Sequence, residues 1–259
     1  MELSLNNKRV LVTAGASGIG RSIVDAFIKA GARLHVCDID EKALTKLQKA
    51  EPGISVTVCD VSDLEQVRRL FEAVKSSLGG LDVLVNNAGI TGPTFTKVEE
   101  IDPTDWERTM AVNINGQFFC VHFATPLIKA AGGGSIINMS SVAGRLGYPL
   151  RTPYAASKWA VVGFTQSLAM ELGPENIRVN CLQPGFVDGP RSRRLRSAQA
   201  AALGETIEQC EARMFAKTSM RQRVSPEEVA AMALFLAADT GAHITGQSLS
   251  ICGGVETLR

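Results

Sequence analysis

The 259-residue chain contains 45% hydrophobic and 20% charged residues and has a formal net charge of +1. Its length fits one α/β domain better than two and provides enough apolar residues for a large core. The near-neutral charge gives no general attraction to nucleic acid or membrane, and no apolar run reaches the roughly 18 residues that a membrane helix needs. The N-terminal segment has no signal-peptide pattern, so we expect a cytoplasmic protein.

Short apolar runs alternate with helix-period segments along the chain. The predicted strands are Arg9–Thr13, Arg33–Cys37, Ser55–Cys59, Leu81–Val85, Ser135–Met139, Arg178–Leu182 and Gln247–Ile251. This order predicts a Rossmann-type three-layer α/β sandwich with a seven-stranded parallel sheet, formed as a single domain by residues 1–259. Capping-box patterns at Thr104–Glu107 and Ser225–Glu228 predict two helix starts. Residues 185–223 are predicted to lack regular secondary structure.

Six cysteines are scattered through the chain, mostly in apolar runs and without a C-x-x-C pair. We expect buried free thiols in a reducing cytosol, and neither a disulfide framework nor a metal site.

A glycine-rich turn follows the first predicted strand and opens a helix. It contains Gly15, Ser17, Gly18, Ile19 and Gly20. Such a turn lets the backbone approach a pyrophosphate, whose charge is favoured at a helix N-terminus. The alternative is a tight turn without a ligand, but the position between strand and helix favours the ligand.

Asp38 ends the second predicted strand, about twenty residues after the glycine turn. A carboxylate there accepts hydrogen bonds from ribose hydroxyls and repels a 2′-phosphate. Neither Ser17, which precedes Gly18, nor Ile39, which follows Asp38, is basic. The sequence therefore favours NAD over NADP. Asp38 could also be the N-cap of the following helix, which does not exclude the first role.

Tyr154 and Lys158 are four residues apart, and Ser141 lies thirteen residues before the tyrosine. On a helix, positions i and i+4 share one face, and an adjacent ammonium favours the phenolate form of a tyrosine. The pair could take a proton from an alcohol near neutral pH, although an ordinary helical Tyr/Lys pair has the same spacing.

The chain resembles the classical short-chain dehydrogenase/reductase family over essentially its whole length. The glycine turn is similar to the family's T-G-x-x-x-G-x-G, and Asn86-Asn87-Ala88-Gly89 to its N-N-A-G segment. Further matches are Asp60-Val61, Asn113, the group Ser141, Tyr154 and Lys158, Pro184-Gly185, and Ile244-Thr245-Gly246-Gln247. Motifs in this order and at this spacing are specific together, whereas each alone is weak.

The resemblance implies an NAD-dependent oxidoreductase that transfers hydride between the nicotinamide cofactor and a secondary alcohol or ketone. Tyr154 would be the general acid and base, Lys158 its cationic partner, Ser141 the substrate-oxygen ligand, and Asn113 the residue that keeps a water beside Lys158. The glycine turn and the resemblance together assign the cofactor to Gly15, Ser17, Gly18, Ile19, Gly20, Asp38, Asp60, Val61, Asn87, Ala88, Gly89, Tyr154, Lys158, Pro184, Gly185 and Val187.

Two positions depart from the family pattern. Ala14 replaces the first glycine of the turn, so the turn must differ slightly. Gly189 replaces a threonine that contacts the nicotinamide or its phosphates in the family, which leaves that contact to backbone groups near Val187.

The family builds its substrate pocket after the P-G segment, here about residues 185–223. Arg145, Arg151 and Arg191 are candidate substrate residues, because the arginine fork suits carboxylates, sulfonates and phosphates. Arg191 begins a cluster with Arg193, Arg194 and Arg196, and the alternative for most of these arginines is a solvated basic helix or a subunit interface.

Three functions remain open: oxidation of a sugar acid or hydroxy acid, reduction of a 3-oxoacyl thioester, and non-catalytic NAD sensing. Asp38 favours oxidation because cells keep NAD mostly oxidised, and the complete set of catalytic residues disfavours the sensor. The resemblance also implies a homotetramer, assembled through residues 105–131, 153–172 and the C-terminal segment. Neither nucleic acid nor a membrane is an expected partner.

Overall fold

Seven parallel strands form one sheet at the centre of the computed structural model, which describes residues 3–255, with the side chains of 190 and 191 excepted. The strands are β1 (Arg9–Thr13), β2 (Arg33–Asp38), β3 (Ser55–Val58), β4 (Val83–Asn86), β5 (Gly134–Met139), β6 (Ile177–Pro184) and β7 (Ser248–Ile251). Their order across the sheet is β3-β2-β1-β4-β5-β6-β7, which confirms the predicted seven-stranded parallel sheet. The strand order reverses between β1 and β4, where open α/β sheets bind ligands outside the carboxyl ends of the strands.

Nine α-helices connect these strands within the described residues. They are α1 (Gly18–Lys29), α2 (Glu41–Ala50), α3 (Leu64–Leu78), α4 (Pro103–Met110), α5 (Gly116–Ala130), α6 (Thr152–Leu172), α7 (Pro190–Leu203), α8 (Ile207–Phe215) and α9 (Pro226–Ala237). A π-helical turn at Ala111–Asn115 joins α4 to α5.

Two hydrophobic clusters sandwich the sheet and confirm the three-layer architecture. Apolar side chains of α1, α2 and α9 pack on one face, represented by Phe27, Leu44 and Leu236. Those of α3, α5 and α6 pack on the other face, represented by Leu70 and Ile128. Because both faces are covered, the central strands are almost continuously apolar, as buried parallel strands require.

Helix α3 shows how local sequence sets these elements. Its buried residues Val67, Leu70, Phe71, Val74 and Leu78 recur at helical spacing and form the stripe that faces the sheet. The Asp63 side chain caps the N-terminus by accepting from the N–H groups of residues 65 and 66, and Gly79 ends the helix with φ 76°. The buried stripe and both caps therefore indicate the same limits for α3.

Two sequence expectations about helices are wrong. The capping box predicted at Thr104 is not formed, because Asp102 is the N-cap and Pro103 occupies the first turn. Residues 185–223 are not irregular, since they contain α7 and α8, and α8 begins at a capping box formed by Thr206 and Gln209. The capping box predicted at Ser225 and Glu228 is confirmed at the start of α9.

All six cysteines are buried and free, as expected. Among the described residues, none of the helices has the length and apolarity that crossing a membrane requires.

Candidate active site

The glycine turn connects β1 to α1 in an unusual backbone conformation. Ala14 has φ 50° and Gly18 has φ 56°, so a non-glycine residue occupies the left-handed region at Ala14. A Cβ on Gly20 would lie 2.1 Å from the Ala14 carbonyl oxygen, so only glycine fits there. Ser17 is the N-cap of α1, and within the described structure its side chain makes no capping hydrogen bond. The first N–H groups of α1 are thus available to an anionic group such as a pyrophosphate.

Asp38 lies at the carboxyl end of β2, beside this turn. Its side-chain oxygens accept from the backbone N–H groups of Ala16 and Asp40, each at 3.1 Å. Asp40, and not Asp38, caps helix α2. The alternative of Asp38 as the N-cap is therefore excluded, and its carboxylate is held against the glycine turn.

Asp60 and Val61 follow β3 at the same edge of the sheet. The Asp60 carboxylate accepts from Ser62 and from the Arg108 guanidinium, which lies at 2.8 Å. Partial burial alone would raise the pKa of Asp60, but the hydrogen bonds from Ser62 and Arg108 outweigh it and hold that pKa below its ordinary value. Arg108 was not identified from the sequence, because it lies 48 residues from its partner.

The segment after β4 is tied to the glycine turn by Thr13. The Thr13 hydroxyl accepts from the N–H groups of Asn87 and Ala88, each at 3.0 Å. The Asn87 amide donates in turn to the carbonyls of Thr13 and Ala14. Two carboxyl-terminal strand ends are thereby locked together, and Thr13 is a supporting residue that the sequence reasoning left out.

Gly89 separates Asn113 from Lys158. A Cβ on Gly89 would lie 3.3 Å from both the Asn113 Oδ1 and the Lys158 Nζ. Any side chain at Gly89 would therefore crowd the two polar groups, which the structure brings together from different helices.

Asn113 lies in the π-helical turn and is fully buried. Its Oδ1 accepts from the Ile90 N–H at 2.8 Å, and its amide group donates to the Ile90 carbonyl and to the Ser157 hydroxyl, each at 3.0 Å. Both amide hydrogens are thus used, so only an oxygen of Asn113 could accept a further hydrogen bond. Single π-turns within helices are common at functional sites.

Tyr154 and Lys158 lie on α6, at the carboxyl end of β5. The Lys158 Nζ donates to the Met139 carbonyl at 2.9 Å and lies 5.7 Å from the centre of the Tyr154 ring. Lys158 is only 3% exposed, so its charge acts in a largely dehydrated setting.

The two competing serines have different partners. The Ser140 hydroxyl donates to the Lys158 carbonyl at 2.8 Å and thereby fixes α6 on β5. The Ser141 hydroxyl accepts from the Ala143 N–H at 3.2 Å, and within the described structure its own hydrogen is not donated to a protein acceptor. The observed contacts are therefore compatible with the choice of Ser141, which lies thirteen residues before Tyr154.

The segment after β6 runs through Pro184 and Gly185. The Gly185 N–H donates to the Ile251 carbonyl at 2.9 Å, and a Cβ on Gly185 would lie 2.8 Å from the Cys252 Cα. The Val187 N–H donates to the Gly185 carbonyl at 3.0 Å, and Val187 also pairs with Val224. Gly189 has φ 151° and ψ 172°, a region that is essentially restricted to glycine. A threonine in this backbone conformation would be strained.

The candidate arginines have different surroundings. Arg145 donates to the Ser250 hydroxyl at 3.2 Å, and the side chain of Arg191 lies outside the described part of the structure. Arg151 stacks on tyrosines, with its guanidinium carbon 4.4 Å from the centre of the Tyr154 ring and 5.3 Å from that of Tyr148.

The arginine cluster of α7 is partly an internal ion-pair network. Arg196 is only 3% exposed and pairs with Asp188 at 3.3 Å and with Glu211 at 2.7 Å. Arg223 pairs with the same two carboxylates, and Arg193 pairs with Asp188. The interpretation as a solvated basic helix is therefore wrong for Arg196, which connects α7 to α8.

A glycine turn at one end of a parallel sheet, beside a Tyr/Lys pair with a buried Asn and a serine, is the arrangement expected of a nicotinamide-dependent oxidoreductase. Sequence comparison agrees: a family model described as enoyl-(acyl carrier protein) reductase matches residues 13–256. The chain belongs to the short-chain dehydrogenase/reductase family.

Several members of this family are similar to the chain over nearly its full length. The 3-oxoacyl-(acyl-carrier-protein) reductase FabG of Thermotoga maritima is 36% identical over 98% of this chain and 99% of its own. The trans-4-hydroxycyclohexanecarboxylate dehydrogenase of Sinomonas cyclohexanicum is 38% identical over 95% of this chain and 92% of its own. The crystal structure of levodione reductase superimposes with a TM-score of 0.90 at 27% identity, covering 98% of this chain and 99% of that one.

Proposed function

We propose that the protein is an NAD-dependent dehydrogenase or reductase of a secondary alcohol or ketone, with Tyr154 as its proton-transfer group. The observation that carries this proposal is the convergence of Tyr154, Lys158 and Asn113 beside the glycine turn, at the carboxyl ends of β1, β4 and β5. When bound, the nicotinamide accepts or donates the hydride.

The residues of the chain supply binding, orientation and proton transfer. In oxidation, the Tyr154 phenolate would accept the proton of the substrate oxygen, while a nicotinamide bound beside it would take up the hydride of the carbinol carbon. The buried Lys158 side chain lies beside the Tyr154 ring, and the hydroxyl of Ser141 would orient the substrate oxygen. An acceptor oxygen of Asn113 holds a water that returns the proton to solvent.

NAD is the proposed cofactor because of Asp38. Its carboxylate lies against the turn that would hold the pyrophosphate, and the exposed residue that follows it is Ile39. A carboxylate there accepts hydrogen bonds from the ribose hydroxyls of NAD and repels the 2′-phosphate of NADP. Asp38→Ala should weaken NAD binding and reduce the difference between NAD affinity and NADP affinity. Titration of each cofactor measures both affinities.

The proposed substrate is a hydroxy acid or sugar acid, in the oxidative direction. A relative named for the oxidation of a hydroxycyclohexanecarboxylate supports an acidic substrate. The second candidate is reduction of a 3-oxoacyl thioester, which the similarity to FabG favours. A non-catalytic NAD sensor is the third, and the complete set of Asn113, Ser141, Tyr154 and Lys158 disfavours it.

A panel of polyols, sugar acids, hydroxy acids and 3-oxoacyl thioesters, assayed with NAD and NADP by absorbance of the reduced nicotinamide, tests this proposal. Tyr154→Phe should lower kcat by at least 100-fold while NAD binding remains detectable, because the ring remains and the proton-transfer group is lost. Near-full turnover by Tyr154→Phe would refute the assignment, and NAD binding without turnover on any substrate would revive the sensor.

We also propose a homotetramer. Large apolar side chains are exposed along α4, α5 and α6, where the resemblance expects subunit contacts: Trp106, Phe118, Trp159 and Met170 are 39%, 49%, 49% and 83% exposed. Exposed aromatic residues in such number mark an interaction surface. Light scattering after size exclusion should give four subunits for the wild type and fewer for Phe118→Asp, whereas a monomeric wild type would refute this.

A further inference from the structure

Arg151 is placed at the proposed proton-transfer site in a way that the family motifs do not require. Its guanidinium carbon lies 4.4 Å from the centre of the Tyr154 ring and 5.3 Å from that of Tyr148. Both distances are within the range of cation–π contacts, so the two rings hold the guanidinium next to the tyrosine that would accept the substrate proton.

The structure shows no hydrogen-bond acceptor for this arginine among the described residues. The N–H donors of a guanidinium lie in its plane, so a cation–π contact through its face does not occupy them. In the part of the chain that the structure describes, no carboxylate pairs with Arg151, and its Nε is buried without an acceptor. Arg196 differs in its ion pairs, since its guanidinium lies 3.3 Å from the carboxylate of Asp188 and 2.7 Å from that of Glu211.

We propose that Arg151 determines substrate specificity by binding the carboxylate of a small hydroxy acid or keto acid whose carbinol or carbonyl oxygen lies at Tyr154. An arginine fork binds a carboxylate through two parallel hydrogen bonds, and the tyrosine rings have already restricted its conformation. The guanidinium of Arg151 lies close to the Tyr154 ring. The carboxylate and the reacting oxygen of the substrate must therefore lie only a few carbon atoms apart.

This inference rests on the proposed function for the identity of the reacting group and narrows its substrate class. It favours a hydroxy acid over a 3-oxoacyl thioester, since the thioester has no carboxylate close to the reacting carbonyl. It also separates Arg151 from Arg145, whose guanidinium donates to Ser250 on β7.

The kinetic test compares acids with neutral molecules of the same shape. The substrates are 3-hydroxybutanoate, 4-hydroxypentanoate and their primary amides, each assayed with NAD. The wild type should favour at least one acid over its amide by tenfold or more in kcat/KM. Arg151→Gln should reduce that ratio by about 10- to 100-fold, because a charged hydrogen-bonded pair is lost. Arg151→Lys keeps the positive charge but lacks the planar fork. Its acid-to-amide ratio of kcat/KM should therefore lie between those of the wild type and Arg151→Gln.

A binding test needs no turnover. Benzoate and benzamide are titrated into the enzyme–NADH complex of the wild type, of Arg151→Gln, and of Arg69→Gln, which removes an exposed arginine of α3 as a control for net charge. Benzoate affinity should fall at least tenfold in Arg151→Gln alone, and benzamide affinity should be equal in all three. Thermal unfolding checks that Arg151→Gln is folded, and Arg151→Lys repeats the test if it is not.

The outcomes distinguish the two proposals. If the wild type binds benzoate no better than benzamide, or if Arg151→Gln retains the preference for acids, the assignment of Arg151 is overturned even when hydride transfer is observed. If benzoate binding depends on Arg151 but no alcohol is oxidised, the arginine assignment stands and the proposed reaction fails.

Discussion

His35 gives the protein a stability that depends on pH between neutrality and pH 5. It lies on β2, three residues before Asp38, and is 2% exposed. Its ring nitrogens lie 2.9 Å from the Ser77 and Thr57 hydroxyl oxygens. Burial lowers the pKa of His35 from 6.5 to about 4, because a buried imidazolium loses its hydration.

The sign and size of the effect follow from this pKa. Between pH 6.5 and about pH 4, the unfolded chain binds a proton at His35 and the folded chain does not, so acidification stabilises the unfolded state. The stabilisation is present above pH 6.5 and is lost as the pH falls. The expected decrease in unfolding free energy from pH 7 to pH 5 is about 2 kcal/mol from His35 alone.

Equilibrium urea unfolding at one protein concentration, from pH 7 to pH 5, measures this effect. His35→Gln removes the titrating ring and keeps an amide that can bond to Ser77 or Thr57, so its stability should vary about 2 kcal/mol less over the same range. His243→Gln, at an exposed histidine, serves as the matched control and should follow the wild type. Parallel pH profiles for the wild type and His35→Gln would refute the reasoning.

Three further predictions concern backbone conformation and capping. Ala14→Gly should stabilise the protein by about 0.5–1 kcal/mol in urea unfolding, because it relieves a left-handed alanine at some cost in chain entropy; a loss of stability would contradict this. Gly189→Thr restores the family residue but should lower stability by roughly 1–3 kcal/mol and weaken NAD binding, because φ 151° excludes a side chain; unchanged values in thermal unfolding and NAD titration would argue against it. Ser225→Ala should cost about 1 kcal/mol in urea unfolding, and Ser225→Asp should keep most of that stability, whereas equal losses in both would exclude a capping role.

The sheet could be predicted from the sequence because each strand is a short apolar run between helix-period segments. The predicted and observed limits of β1 coincide at Arg9–Thr13, and those of the other strands differ by one or two residues. Strand ends differ because they depend on hydrogen bonds to neighbouring strands, which a local pattern does not contain.

Helix starts were predictable where the local rules agreed. At Ser225, the serine cap and the proline in the first turn indicate the same boundary. At Thr104, the capping-box pattern conflicted with Pro103, whose missing N–H and fixed φ suit the first helical position, and Asp102 became the cap.

The candidate site was predictable in its motifs but not in its contacts. Tyr154 and Lys158 follow from one helical spacing, whereas the pairing of Arg108 with Asp60 spans 48 residues and depends on the folded sheet. Likewise, nothing local in the sequence distinguishes Arg151, stacked on two rings, from Arg196, buried between two carboxylates. Ser157 accepts a hydrogen bond from the Asn113 amide. Its position directly before Lys158 is the sequence signal that could have identified it.

Helix α6 carries Arg151 at its N-cap and Tyr154, Ser157 and Lys158 within its first two turns. These side chains share one rigid scaffold, which is anchored by Ser140 and by the Met139 carbonyl. A shift of α6 would displace all of them together, so the proposed carboxylate-binding residue and the proposed proton-transfer group keep a fixed separation. That separation sets the length of substrate that can reach both groups at once, and a change of acid should therefore require a change at Arg151 itself and not a movement of the helix.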